Sequence, residues 1–407
     1  MPKQQETSET AAEEIEATRV KLAGLGSAHI GLPARFHFDP VDPIHLADVA
    51  PVSPPDLGPL AAFVGAWKGN GFNTIFRPDS TETPTPLPTP AGGDNVLELN
   101  LTAESLSFSP SLGSVPNRGM VQGDVFLNGV PYLQAVSDVT TAQPVGIHVE
   151  PGIWIAVPST SDPAEPTQTF ARMASIPHGT TINAQGTAST TPGVPVIPPV
   201  DITPFFSSSG QRIRFPSQTA SALGTARIPQ DLTGVPITQA MLDDPNSVLR
   251  DHIASQHIVS TTTIIISTSP PQPLFGGGTD NIAFLLGFAG ATSTPNSSGQ
   301  NAQTLIMNAT FWIETVEHTI VVPPFAKPPA KPIELRAEEQ TAGAPVTNFT
   351  VLPPVPIPRP FPITFRTTQI QYSQTVILNF NGLSWPHVSV ATLVPASSIP
   401  VPGGWPA

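Results

Sequence analysis

The 407-residue chain contains no cysteine. That excludes disulfides, zinc–thiolate sites, iron–sulfur ligation and a thiolate nucleophile, and it leaves either redox compartment open. Charge is scarce as well: Asp, Glu, Lys and Arg make up 12% of the residues, about half the usual globular share. Cations are the rarer sign, with 17 Lys+Arg against 30 Asp+Glu and a net charge of −13. The missing basic footprint argues against nucleic acid or an anionic membrane as partner. No apolar run approaches the roughly 18 residues of a membrane-spanning helix. The opening stretch, MPKQQETSETAAEEIEATRVKL, lacks the apolar core of a secretory signal, so a soluble, cytoplasmic protein is expected. There is no G-x-S-x-G elbow, and Gly276-Gly277-Gly278 lacks the lysine and spacing of a phosphate loop.

What the chain does have is proline, 52 residues of it, and a 39% hydrophobic content. Proline at this density excludes long helices and broad central strands over much of the length. Apolar runs of β character nevertheless recur. They fall at 60–77, 96–110, 124–136, 146–157, 168–176, 181–188, 257–268, 301–318, 363–380 and 387–394. Turn residues separate them at short intervals, as in an up-and-down barrel or a sandwich. In the second run Leu97, Leu99 and Leu101 share one face and Glu98, Asn100 and Thr102 the other. One helix is predicted over 7–23 and a second over 245–256, where Asp244-Pro245 reads as an N-cap followed by N1. The predicted organisation is an N-terminal helix and Pro-rich arm over 1–56, then one elaborated β domain over 57–395. That domain carries a partly helical insertion at 192–256 and a Pro-rich arm at 323–362, and a tail follows over 396–407.

Four segments carry candidate chemistry. Gly65-Ala66-Trp67-Lys68-Gly69-Asn70-Gly71 opens the first strand; the tryptophan suits the plug of a barrel base and the glycines a sharp strand bend. In Ile147-His148-Val149-Glu150-Pro151-Gly152-Ile153-Trp154, His148 and Glu150 are two apart and share a strand face. They read as an acid–base pair, or as a hydrogen-bonded pair supporting the wall. Pro177-His178-Gly179 puts an imidazole in a turn, either over a bound ligand or simply as turn chemistry. His387 opens the last strand, as a metal ligand or as a core histidine after Pro386. In the run ending at His318, Glu314 and His318 share a face while Glu317 points away, which suits a solvated strand end better than a metal site.

In this order the segments resemble the nitrobindin family, small ten-stranded calycin barrels that bind heme. The likeness lies in the G-x-W-x-G-x-G opening, the H-x-E-x-G-x-W strand, the histidine-bearing turn and a histidine near the start of the last strand. It covers about two fifths of the chain, roughly 57–190 and 363–395. It implies a closed antiparallel barrel holding heme, His387 as the iron ligand, Trp67, Trp154 and Phe380 as cofactor contacts, and chemistry with nitric oxide, peroxynitrite or peroxide. Two other classes stay open. One is a metal-free enzyme using His148, Glu150 and His178 as acid and base on an apolar substrate. The other is an assembly protein whose N-terminal helix and Pro-rich arms wrap neighbouring copies in a homo-oligomer. An apolar small molecule is the expected partner.

Overall fold

A computed structural model describes residues 56–401 apart from 82–83, 163, 272–275, 287–300, 338–340 and 342, together with 403 and 405. The helix predicted over 7–23 lies outside the described residues.

The ten apolar runs become ten long strands: β1 (Gly65–Pro78), β2 (Asn95–Phe108), β3 (Val125–Asp138), β4 (Val145–Val157), β5 (Thr169–Ile176), β6 (Thr180–Pro192), β7 (His257–Ser267), β8 (Gln303–Val322), β9 (Phe361–Phe380) and β10 (Leu383–Pro395). Each pairs antiparallel with the next, and β10 returns to β1 with Trp67 opposite Pro395 and Thr74 opposite Val388. The result is a closed ten-stranded up-and-down antiparallel barrel, in which every long strand has a neighbour on both sides. Two glycines make the closing seam possible. A β-carbon on Gly69 or Gly71 would stand 1.9 or 1.8 Å from the carbonyl oxygen of Thr392 or Val390, so only a bare backbone fits where β1 coils against β10.

The base is sealed with rings. Leu60 and Phe63 come from the 3-10 helix Gly58–Phe63, which Leu57 precedes and which replaces the first residues of the strand predicted from residue 60. Phe63 lies 4.8 Å from Phe108, 5.5 Å from Trp154 and 6.1 Å from Phe311, centroid to centroid. Trp67 donates its indole N–H to the Phe63 carbonyl at 2.7 Å, which satisfies that buried donor.

The alternation of β2 is present, but its leucines are not the barrel lining. Glu98, Asn100 and Glu104 face the interior, whereas Leu97 and Leu99 lie on the outer face and are buried there. The insertion after β6 supplies their cover. Phe215 stacks on Trp385 and tilts against Phe76, and Ile202, Ile237, Leu242 and Leu249 join the same core. Arg227 holds this segment together from within, donating to the carbonyl oxygens of Ser217, Thr219, Ala220, Ala222, Pro229 and Gln230. The short helix α1 (Gln239–Asp243) precedes α2 (Ser247–Ile253), the observed part of the helix predicted over 245–256. Asp244 accepts from the backbone N–H of Asn246 at 3.1 Å and pairs with Arg250, while β7 takes over from residue 257.

The Pro-rich arm folds back onto its own chain. Ile333–Arg336 pairs antiparallel with Asn348–Val351, which in turn pairs in parallel with Ile399–Pro400 of the tail. Phe349, Val351 and Ile357 of the arm, Ile320 and Val322 of β8 and Val401 of the tail form a second apolar cluster.

Candidate functional site

Beyond the plug the barrel interior is open. A cavity of about 420 Å³ occupies this half, within the roughly 300–1,000 Å³ range of small-molecule sites. Ile75, Leu106, Val136, Ile176, Phe311 and Val376 give it apolar walls. Between them stand buried polar groups in two sets.

The first set is centred on Glu150. On β4 the inward positions are His148, Glu150, Gly152 and Trp154, and Gly152 sits opposite Tyr132 of β3. A β-carbon at Gly152 would lie 2.6 Å from the Tyr132 ring. Its absence lets the phenol lie across the strand and donate to Glu150. Arg172 of β5 donates Nη2 to Glu150 at 2.5 Å, Nε to the Tyr132 hydroxyl at 2.8 Å and Nη1 to Gln374 at 2.7 Å. His148 Nε2 meets the other Glu150 oxygen at 3.2 Å. Burial alone pushes the Glu150 carboxyl up, but Arg172 and the donors His148 and Tyr132 outweigh it and hold it down at about 2. Glu150 is thus a permanent anion, and it orients the His148 ring as carboxylates orient catalytic and metal-binding histidines.

The second set is centred on Glu104, deeper in the barrel than Asn100 on the same strand. It accepts from Tyr372 at 2.7 Å, Gln134 at 3.2 Å and Thr102 at 3.1 Å. Burial raises its carboxyl above the usual range in spite of these donors. Tyr132 and Tyr372, one in each set, are the chain's two tyrosines.

Three imidazoles face the outer part of the cavity. His178, in the turn between β5 and β6, stacks on His148 with ring centroids 5.7 Å apart. Burial, and then the neighbouring His148, lowers the His178 pKa. His387 is anchored on β10 opposite Val376. Its Nε2 accepts from Asn73 Nδ2 at 2.8 Å; the same amide donates to Ser389 at 2.7 Å, and its oxygen accepts from Asn100 at 3.2 Å. Burial above all, with help from His148 and His178, lowers His387 to about 3, so this imidazole is neutral at ordinary pH. The strand Gly278–Asn281 pairs with the start of β6, and α3 (Ala283–Leu286) then brings Leu285 to the cavity while Phe284 stays exposed. Phe275 and Phe288, which with Phe284 flank the triglycine sequence as ligand-covering residues or ordinary core, lie outside the described residues.

His148, His178 and His387 therefore line one end of one cavity, and Glu150 stands behind His148 in the wall. Trp67 and Trp154 belong to the plug at the other end, and Phe380 stacks on Trp385 at 4.5 Å. None of the three lines the cavity. Arg172, Tyr132, Glu104, Tyr372, Gln134 and Asn73 were not anticipated. The available signal was a lone charge or tyrosine at an inward position of an otherwise apolar strand. Glu314 is buried on the outer wall rather than solvated; burial pushes it up to about 8 against a hydrogen bond from Gln369. Glu317 is drawn away to His257 and Arg366. Among the described residues no helix is long and apolar enough to cross a membrane, and no three His, Asp or Glu side chains are arranged to hold a metal ion.

No protein-family model matches this chain, and no curated protein matches it. Among solved structures, the crystal structure of Rv2717c from M. tuberculosis is similar at 10% identity and a TM-score of 0.32, over 84% of this chain and 98% of that one.

Proposed function

We propose that the barrel is a receptor for an apolar small molecule, with heme as the ligand and His387 as the residue that holds it. The observation that carries this reading is a neutral, partly buried imidazole facing a cavity with mixed apolar and polar walls. The donor chemistry fits. At pH 7 no proton competes for the His387 ring, and Asn73 Nδ2 is a neutral donor that a metal bond to Nε2 would displace. His148 and His178 would face the ligand from across the cavity, with Glu150 fixing the His148 ring. Bound heme would supply iron chemistry with small nitrogen or oxygen oxidants. The chain's own part is to seal the base, keep the ring of His387 neutral and exclude bulk water.

An absorption spectrum of the purified protein with and without hemin tests this. A Soret band in the wild type that shifts or disappears in His387→Ala supports axial ligation by His387. Absence of the band in both proteins removes heme from the proposal. A second reading is favoured by one observation, the His148–Glu150 pair held by Arg172. It is a metal-free enzyme in which His148 is the base and His178 its neighbouring acid. Under that reading His148→Ala abolishes turnover of an apolar substrate, while hemin has no effect.

A further inference from the structure

The described walls of the cavity contain one guanidinium, that of Arg172, and no ammonium. Three of the five N–H groups of Arg172 are already committed within the wall. Its Nη2 is bonded to Glu150, its Nη1 to Gln374 and its Nε to Tyr132, and Glu150 neutralises its charge at close range. The cavity also exposes two carboxyl groups, Glu98 and Glu104. Glu98 has a cation to itself, Arg77 at 2.9 Å. Glu104 has none: its partners Tyr372, Gln134 and Thr102 are all neutral donors. A carboxylate offers about four lone-pair positions. Three donors reach Glu104, so one position remains for a ligand.

We infer that Glu104 is the specificity determinant of this cavity, accepting a hydrogen bond from a protonated amine on an apolar ligand and keeping carboxylates out of the deep end. This rests on the receptor reading of the cavity and adds direction to it. A donor group goes inward to Glu104. An anionic group stays at the outer end, away from the Glu104 carboxylate. Heme obeys the same rule if its two carboxylates face outward. Charge-assisted hydrogen bonds in a low-dielectric site are strong enough to make the preference easy to read.

The test uses three probes with one chain length, octylamine, octanol and octanoate. Each is titrated calorimetrically into the full-length protein at pH 7. The expected order is amine, alcohol, carboxylate, with octylamine about tenfold or more tighter than octanoate. In Glu104→Gln the amine advantage over the alcohol collapses, while octanol binding changes little. Tyr372→Phe serves if that variant does not fold. Removing the phenol donor frees a lone pair on Glu104, so the amine preference rises. Octanoate binding as tightly as octylamine overturns the inference, as does an unchanged ratio in both variants, and in either case the receptor reading survives. If no probe binds while hemin does, the inference fails alone. If neither hemin nor any probe binds, both fall.

Discussion

At the base of the barrel Phe63, Trp67, Phe108, Trp154 and Phe311 fill the interior with rings, and the indole N–H of Trp67 finds a carbonyl. Further along the same strands the inward positions carry Glu104, Gln134, Glu150, Arg172, Gln374 and His387, and a cavity opens among them. Trp154 and Glu150 are four residues apart on β4, Phe108 and Glu104 four apart on β2. One strand therefore serves both halves, and what changes is the inward residue. Rings close the lower half because apolar atoms can fill space without partners. Buried polar groups cannot, since each needs a hydrogen bond in place, and networks of fixed geometry leave gaps that a ligand can use.

The comparison breaks most visibly at its largest packed ring. Trp154→Ala should cost toward the upper end of ~3–5 kcal/mol in chemical denaturation, because a rigid barrel base cannot collapse onto the space. If the lower half is only a seal, ligand affinity in the still-folded fraction stays unchanged. Arg172→Met comes next, at about 3 kcal/mol, since it strands the Glu150 carboxylate in the interior. Combining it with Glu150→Gln should recover much of that loss, and a double-mutant cycle reads the coupling directly.

Smaller effects separate the cavity from the outer wall. Glu314 has a folded pKa of about 8, above its ordinary value, so between those values the folded state holds more protons than the unfolded one. Its penalty grows as pH rises through that window, by at most about 1.4 kcal/mol per unit. Glu314→Gln should therefore raise the melting temperature relative to wild type at pH 8, hardly at all at pH 5, and leave ligand binding alone. His387 has the opposite sign. Its folded pKa of about 3 lies below the ordinary 6.5, so the unfolded state takes up the proton first and stability falls as pH drops below 6.5. His387→Ala should flatten that acid limb in thermal melts from pH 7 to pH 4 and change stability least at pH 7.

The barrel was legible because its strands are long and the turns between them are rich in Gly, Pro, Asn and Ser. The plug role of Trp67 and the shared face of His148 and Glu150 followed from local chemistry and strand period alone. Which face of β2 looks inward did not. Alternation marks two faces but not their sides, and here the insertion carrying Phe215 and Arg227 buries Leu97 and Leu99 from outside. Arg172 and Tyr372 were hidden for a related reason: their partners Glu150 and Glu104 are distant in sequence and meet only once the barrel closes. Phe380 packs on Trp385, just across a tight turn, and does not line the cavity.

The most direct test of a ligand held by His387 in the upper half is displacement. An apolar fluorescent dye is bound to the wild type and to His387→Ala, and hemin is added to each. The account predicts that both proteins bind the dye, that hemin displaces it stoichiometrically from the wild type, and that displacement from the variant needs far more hemin. Equal displacement from both, or none from the wild type, would contradict it.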